Sequence, residues 1–483
     1  MAGATSPFKR SAELYALERQ EGLFDARAKG IAPWRTMRSM VYDRVLALPL
    51  SGVAVSSGRR VGDALRATLS FVYLLLTARP VELVVKTGVS GLRVRQGDRW
   101  LDVHFDPLLA TGISHFKLVE INSPQFELQR RAAKFPSHLD PVLFSFWGKV
   151  LGTLAPANIA GFDKRVAALL KERMGVEIPP ATLRMRVSTV LWQARLYGLL
   201  LKRLRPRAVL VSDTGEFGLV LACARAGIPF VELQHGVFDA HHPNAVPVGV
   251  EGTRAELLLP DAFVARGAFW LDRLRDTRQG AGCAAPVGSP LIDRARARRN
   301  PDRTAEALHL VVTSQGLATD ALAEWLESAA ANAPAELAWR MSIKLHPTFD
   351  VNNRSFAEMA KDARITVIGG ADEPNVYDLL ADADLHLSIA SACHFDAASL
   401  GVPSMVVPLP GHQEVCHAVD DRSIFIAERP EDVWQLAVRA RTLSVDSERF
   451  SASDFVRNIT DLLDRIAPPC DAASPHSSQL GFR

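Results

Sequence analysis

At 483 residues the chain is longer than one typical hydrophobic core, so two domains of about 200 residues each are the default expectation. Apolar residues make up 48% and charged residues 23%, the balance of a soluble globular protein. A formal net charge of +3 gives no reason for a nucleic-acid or polyanion partner; it allows weak attraction to an anionic membrane surface and no more.

The five cysteines, Cys223, Cys283, Cys393, Cys416 and Cys470, are scattered, odd in number and form no CxxC pair. That argues against a disulfide framework and a structural zinc site, and a reducing cytoplasm fits best. The first 22 residues are charged and lack an apolar core, so no signal peptide is visible. The most apolar run, residues 69–77, is nine residues long, where a membrane span needs about 20. Two readings stand: a buried helix, or a contact with a membrane surface.

In chain order, residues 1–60 read as Arg-rich helical segments. Residues 81–95 alternate and carry Gly turns, predicting strand, turn, strand. Residues 102–107 read as a short extended piece, and 160–205 as helix. Residues 208–211 are a short apolar run ending in Ser212-Asp213-Thr214-Gly215. Residues 217–226 read as a helix stopped by Gly227, and 228–233 as a second strand ending at Gln234-His235-Gly236, which makes a βαβ unit. The charged run 294–307 contains Pro301, lacks periodicity and reads as a linker. Beyond it, strands at 309–313, 339–345, 364–368, 384–388, 404–407 and 424–427 alternate with helices at 321–331, 376–381, 391–400 and 430–441. A terminal helix covers 455–466, and 468–483 reads as a disordered tail.

This rhythm predicts an α/β protein of two doubly wound, Rossmann-like halves facing across a cleft. The expected divisions are 1–300, 301–450, a terminal helix at 451–467 and the tail. Ligands of such sheets bind outside the carboxyl ends of strands. Asp213, His235, Gly316, His346 and Ser388 all stand at predicted strand ends.

The Lys344-Leu-His346-Pro347 corner is the most specific of these. A Lys ammonium suits phosphate oxygens, an imidazole can donate to them, and Pro347 fixes the turn. Gly316 can admit a diphosphate close to the backbone. Ser388 and Ser391 precede a predicted helix start, which attracts anions; Ser391 can also cap that helix. Asp396, one turn in, is either exposed or in a salt bridge. In the first half, His235 is a candidate general base, with Asp213 and Glu216 as carboxylate alternatives. A capping role is the structural alternative for Asp213. The cluster His235, Asp239, His241, His242 matches no metal pattern, and no Asp-x-Asp ends a strand, so neither metal nor cofactor is expected.

The order Gln234-His235-Gly236, Gly288-Ser289-Pro290, Lys344-Leu-His346-Pro347, Ser391 with Phe395-Asp396, and Gly401-Val402-Pro403 resembles GT-B fold glycosyltransferases of bacterial surface polysaccharide assembly. It is similar to the capsule polysaccharide and CDP-glycerol glycerophosphotransferase group, and more loosely to sialyl- and Kdo-transferases. The resemblance covers roughly 205–410. It implies that His346 and Ser391 contact the donor phosphate and that His235 is the base; the sialyltransferase-like pattern would favour Asp213 or Glu216. Ala392 stands where the CDP-glycerol group has a second serine, and Val237-Phe238 where it has Thr-Pro. These departures favour a nucleotide-sugar donor over a polyol phosphate, and the resemblance of the His-Pro motif to those found with cytidine nucleotides puts a CMP-linked donor before a UDP-linked one. The expected activity is inverting, metal-independent transfer to a glycan or glycolipid of capsule or lipopolysaccharide at the cytoplasmic membrane face. The alternatives are a nucleotide-sugar 2-epimerase, a CDP-polyol phosphotransferase and a non-catalytic scaffold.

Overall fold

The computed structural model describes residues 7–46, 57–88, 93–96, 99–121, 129, 138–234, 236–299, 307–346, 349–350, 354–370, 374–420 and 422–468. The strands in chain order are β1 Leu83–Gly88, β2 Val94–Gln96, β3 Arg99–Leu101, β4 His115–Glu120, β5 His138–Leu139, β6 Ala208–Val211, β7 Phe230–Leu233, β8 Ala262–Ala265, β9 Ala284–Pro286, β10 Leu308–Thr313, β11 Trp339–Lys344, β12 Ile365–Ile368, β13 Leu385–Ser388, β14 Ser404–Val406 and β15 Ile424–Ile426.

They form two parallel sheets, ordered β5-β4-β1-β6-β7-β8-β9 and β12-β11-β10-β13-β14-β15, with β2 and β3 as a separate antiparallel pair. The central strands read as largely apolar runs, interrupted by single polar residues, because helices cover both faces of a parallel sheet. Ala208–Val211 and Leu308–Thr313 are buried at every position. The chain is thus an α/β protein of two doubly wound, Rossmann-like halves, the GT-B type of arrangement expected from the sequence.

Three helices shape the first half around its sheet. Gly148 and Gly152 of helix Val142–Leu154 lie against helix Pro180–Leu204, where a Cβ would stand 3.1 Å from Thr189 O and from Ser188 Cβ respectively. Gly218 of helix Phe217–Ala226 faces Gln193 so closely that a Cβ would stand 2.5 Å from it. Missing side chains therefore set how near these helices approach. Gly227 ends the last of them in a left-handed conformation, and Ile228 N–H returns to Cys223 O at 3.0 Å, as a Schellman stop requires.

The terminal helix Phe455–Ile466 does not stay with the second sheet. Phe455, Ile459, Leu462 and Leu463 share one buried cluster with Leu83, Val85, Leu210, Val231 and Val264 of the first. Arg207 Nη1 donates to Asp464 Oδ1 at 2.9 Å beside it.

Three expectations change. Residues 294–298 are not linker; they finish helix Pro290–Arg298. Arg296 of that helix donates to Ser399 O at 3.0 Å and Ser451 O at 2.7 Å. Its Arg-Ala repeat hides the helical period because charged contacts, not an apolar stripe, hold that end. Residues 102–107 are not extended: helix Asp106–Leu109 starts there, and Asp106 accepts Asp102 N–H at 2.8 Å. The apolar run 69–77 belongs to helix Ser57–Thr77, with Phe71 and Leu74 buried but Leu69 and Leu76 exposed. The tail beyond residue 468 lies outside the described residues.

Candidate functional site

In a doubly wound sheet the crevice opens where strand order reverses. In the first sheet this lies between β1 and β6. Lys86 of β1 is 6% exposed, and its Nζ stands 2.5 Å from Glu216 Oε1 and 3.7 Å from Glu120 Oε2. Burial opposes the ammonium charge, but Glu216 and then Glu120 outweigh it and hold Lys86 above its ordinary range. Burial likewise pushes the Glu216 carboxyl up, with Lys86 pulling it back. These groups line a cavity of about 190 Å³, completed by Arg186, Gln193 and Tyr197 from helix Pro180–Leu204 and Ser145 from helix Val142–Leu154. Gly215 turns the chain here at φ +84°, and its missing side chain leaves Asn244 room to donate to Thr214 Oγ1 at 2.9 Å. Nearby, burial raises the Asp140 carboxyl to about 7, although Val142 N–H donates to it.

In the second sheet the reversal lies between β10 and β13, and their loops are tied together. Ser388 Oγ donates to Thr313 O at 2.7 Å, and Ala390 N–H to Gln315 Oε1 at 3.1 Å. Ser391 is buried, and its hydroxyl accepts Cys393 N–H at 3.2 Å. On the adjoining strand β11, Lys344 is buried and donates to Gly369 O at 2.8 Å. His346 is half-buried, and burial lowers its pKa, with Asp350 acting in the opposite direction. Its Nδ1 accepts Phe349 N–H at 3.2 Å, which sets the proton of the neutral ring on Nε2. The His346 ring stacks on Phe349 at 4.5 Å. Gly316 lies against the same phenylalanine: a Cβ there would stand 2.7 Å from Phe349 Cβ. Phe349 keeps 53% of its surface exposed.

The halves meet through both charge and aromatic packing. Arg266, just past β8, pairs with Asp396, whose other oxygen accepts Tyr377 Oη–H at 3.2 Å. Phe269 and Trp270 pack on Phe395 at 5.4 and 4.8 Å. Arg273 donates to His417 O.

The predicted residues fall into distinct groups. Gly316, Lys344, His346, Ser388 and Ser391 gather at the carboxyl edge of β10, β11 and β13. Ser388 is fully buried and its proton goes to Thr313 O, so it ties the two loops together and offers no surface to a ligand. Asp213 and Glu216 stand past β6; Asp213 is exposed and accepts Thr214 N–H at 2.7 Å. It does not cap the helix, which starts at Phe217 without a side-chain cap. The helix near Ser391 starts at Cys393, two residues later than expected. His235 and Pro347 lie outside the described residues. Gly288 and Ser289 form a structural seam: a Cβ on Gly288 would stand 2.3 Å from Ala452 O.

Sequence reasoning missed Lys86, Glu120, Arg186 and Phe349. A lysine inside the apolar run Leu83-Val-Val-Lys86 was the available signal for the first, since a buried charge needs a partner. Arg186 and Glu120 come from elements with no motif of their own.

No protein-family model and no curated protein matches the chain. Among solved structures it is similar to Acinetobacter baumannii MurG, at 15% identity over 80% of this chain and 99% of the other, with a TM-score of 0.46. It is also similar to UDP-GlcNAc 2-epimerase from Neisseria meningitidis bound to UDP-GlcNAc, at 12% identity over 80% and 100% of the two chains, TM-score 0.46. A glycotransferase of kitacinnamycin matches at 14% identity over 81% and 100%, TM-score 0.44. Likenesses this distant lend no residue roles to the chain.

Proposed function

We propose that the chain is a glycosyltransferase that moves a sugar from a nucleotide-sugar donor, CMP-linked before UDP-linked, to a glycan or glycolipid acceptor of a bacterial capsule or lipopolysaccharide. Residues 301–450 hold the donor and residues 1–300 the acceptor, on the cytoplasmic side of the membrane. The reading is carried by one observation: Gly316 and Ser391 stand past the two strands of the reversal in the second sheet, with His346 past the adjoining strand β11 at the same carboxyl edge.

In this reading the His346 Nε2–H and the Ser391 hydroxyl meet the donor phosphate. Lys344 adds positive charge from below while bracing the 369 loop. Backbone beside Gly316 approaches the diphosphate, and the exposed face of Phe349 takes the nucleobase. A base in the first half, Glu216, Asp213 or His235, removes the acceptor hydroxyl proton. The acceptor oxygen then bonds to the anomeric carbon from the face opposite the leaving group. The bond from that carbon to phosphate oxygen breaks, and the released negative charge is stabilised by the preorganised donors of the second half.

Calorimetry with CMP, CDP and UDP tests the donor site. One of the three should bind, and His346→Ala should weaken it by about tenfold, the worth of one charge-assisted hydrogen bond. Binding of none, or an unchanged affinity in the variant, ends the assignment. Incubation with donor alone separates transfer from epimerisation, since only an epimerase would return an altered sugar without acceptor.

A further inference from the structure

Helix Ser57–Thr77 is apolar on two sides. Ala64, Ala67, Phe71 and Leu74 are buried, and Phe71 meets Phe144 edge-on at 5.5 Å. On the outer side Val61 is 42% exposed, Leu65 49%, Leu69 74%, Val72 51% and Leu76 75%. At 3.6 residues per turn, these five fall within about 80° of the circumference and run for roughly 22 Å along the axis. With Tyr73, the helix carries six of the thirteen large apolar side chains that stand exposed among the described residues. Single exposed apolar residues need no explanation, but a continuous stripe does.

The sequence of the helix carries more basic than acidic residues. The helix contains Arg59, Arg60 and Arg66 against one acid, Asp63, a formal excess of two. Asp63 is buried and takes a hydrogen bond from Arg66 at 2.5 Å, yet Arg66 remains 76% exposed. At the other end Arg79 is exposed, and Arg203 donates to Leu76 O at 3.2 Å. Glu82, the next acid along the chain, is engaged with Ser114 N–H and Oγ–H. Among the described residues no helix is long and apolar enough to cross a membrane.

We propose that this stripe seats the protein on an anionic phospholipid surface, with the helix lying in the plane of the interface. An amphipathic helix does this by burying its apolar face at the acyl boundary while basic side chains meet lipid phosphates. Charge complementarity favours lipid over a second copy of the chain, because pairing two such stripes would bring the arginines of both together. The proposal does not depend on the sugar-transfer reading, and absence of nucleotide binding would leave it standing.

The test is co-sedimentation of the full chain with vesicles of phosphatidylcholine alone or with about one-third phosphatidylglycerol. Binding is expected to the anionic vesicles and to weaken as salt screens the attraction. Leu69→Ser with Leu76→Ser should lower partitioning by at least about tenfold, since two leucines leave the acyl boundary. Both side chains are exposed, so the fold should persist. Arg66→Glu with Arg79→Glu keeps the stripe and should abolish the preference for anionic lipid. Val438→Ser, an exposed apolar position on another helix, should change nothing. Absence of vesicle binding, unchanged binding in either double variant, or a solution dimer that the leucine variant dissolves would each overturn the proposal.

Discussion

Arg266 and Asp396 join the two halves through a charge pair whose side chains are 12% and 6% exposed. Asp396→Ala would leave the guanidinium buried without its carboxylate, at a cost of about 3–5 kcal/mol. It would also remove the acceptor of the Tyr377 hydroxyl, 3.2 Å away, worth about 1 kcal/mol. Arg266→Met strands the carboxylate in the same way, so about 3 kcal/mol is expected. The paired replacement Arg266→Met with Asp396→Leu removes both charges, and its cost should fall to roughly 1 kcal/mol because neither ion is then desolvated. The two changes are thus expected to couple by several kcal/mol in a double-mutant cycle. Urea unfolding followed by tryptophan fluorescence reads this out as a shift in midpoint at constant slope. Single variants within 0.5 kcal/mol of the parent, or costs that simply add in the double variant, would refute the view that this pair is desolvated and mutually dependent.

Two further outcomes follow from the first-half crevice. Lys86→Met removes the positive neighbour that holds the Glu216 carboxyl down against its burial. If Glu216 is the base, the acidic limb of a donor-hydrolysis pH profile should move up; an unmoved limb excludes Glu216. Asp140 is raised to about 7 by burial, so the folded state binds its proton more tightly than the unfolded chain does. Its contribution is fully present below the ordinary carboxylate value and is lost as pH rises through about 7. Asp140→Asn should therefore raise stability near pH 8 by up to about 4 kcal/mol, three pKa units at about 1.4 kcal/mol each, while changing little near pH 4, measured by urea midpoints at both values.

The second half was legible because its strands are short apolar runs separated by helices of ordinary length, and its polar residues stand at strand ends. The Lys344 corner and the Gly316 and Ser391 loops follow directly from that pattern. Ser388 did not: alternation places a residue on a side of the sheet but does not say which strand will lie beside it, and Thr313 O of the neighbouring strand takes its proton. The first half was harder to read. Its crevice is assembled from Lys86, Glu120, Arg186 and Glu216, separated by up to 130 residues, and their meeting depends on strand order. The linker reading of 294–298 failed for a related reason. Arg296 is pinned by carbonyls at 399 and 451, partners that no local window contains.

The return of helix Phe455–Ile466 to the first sheet bears on how the protein emerges from the ribosome. The cluster around Leu83, Val85 and Leu210 lacks Phe455, Ile459, Leu462 and Leu463 until synthesis has passed residue 463. The second sheet, spanning 308–426, has all its strands earlier. Synthesis from the amino end therefore completes the later half first, and the earlier half waits with an apolar groove open along β1, β6 and β7. Exposed apolar surface during synthesis invites aggregation and chaperone capture. A chain stopped near residue 450 should be held by chaperones through its amino-terminal half, and a supplied 451–468 peptide should release it.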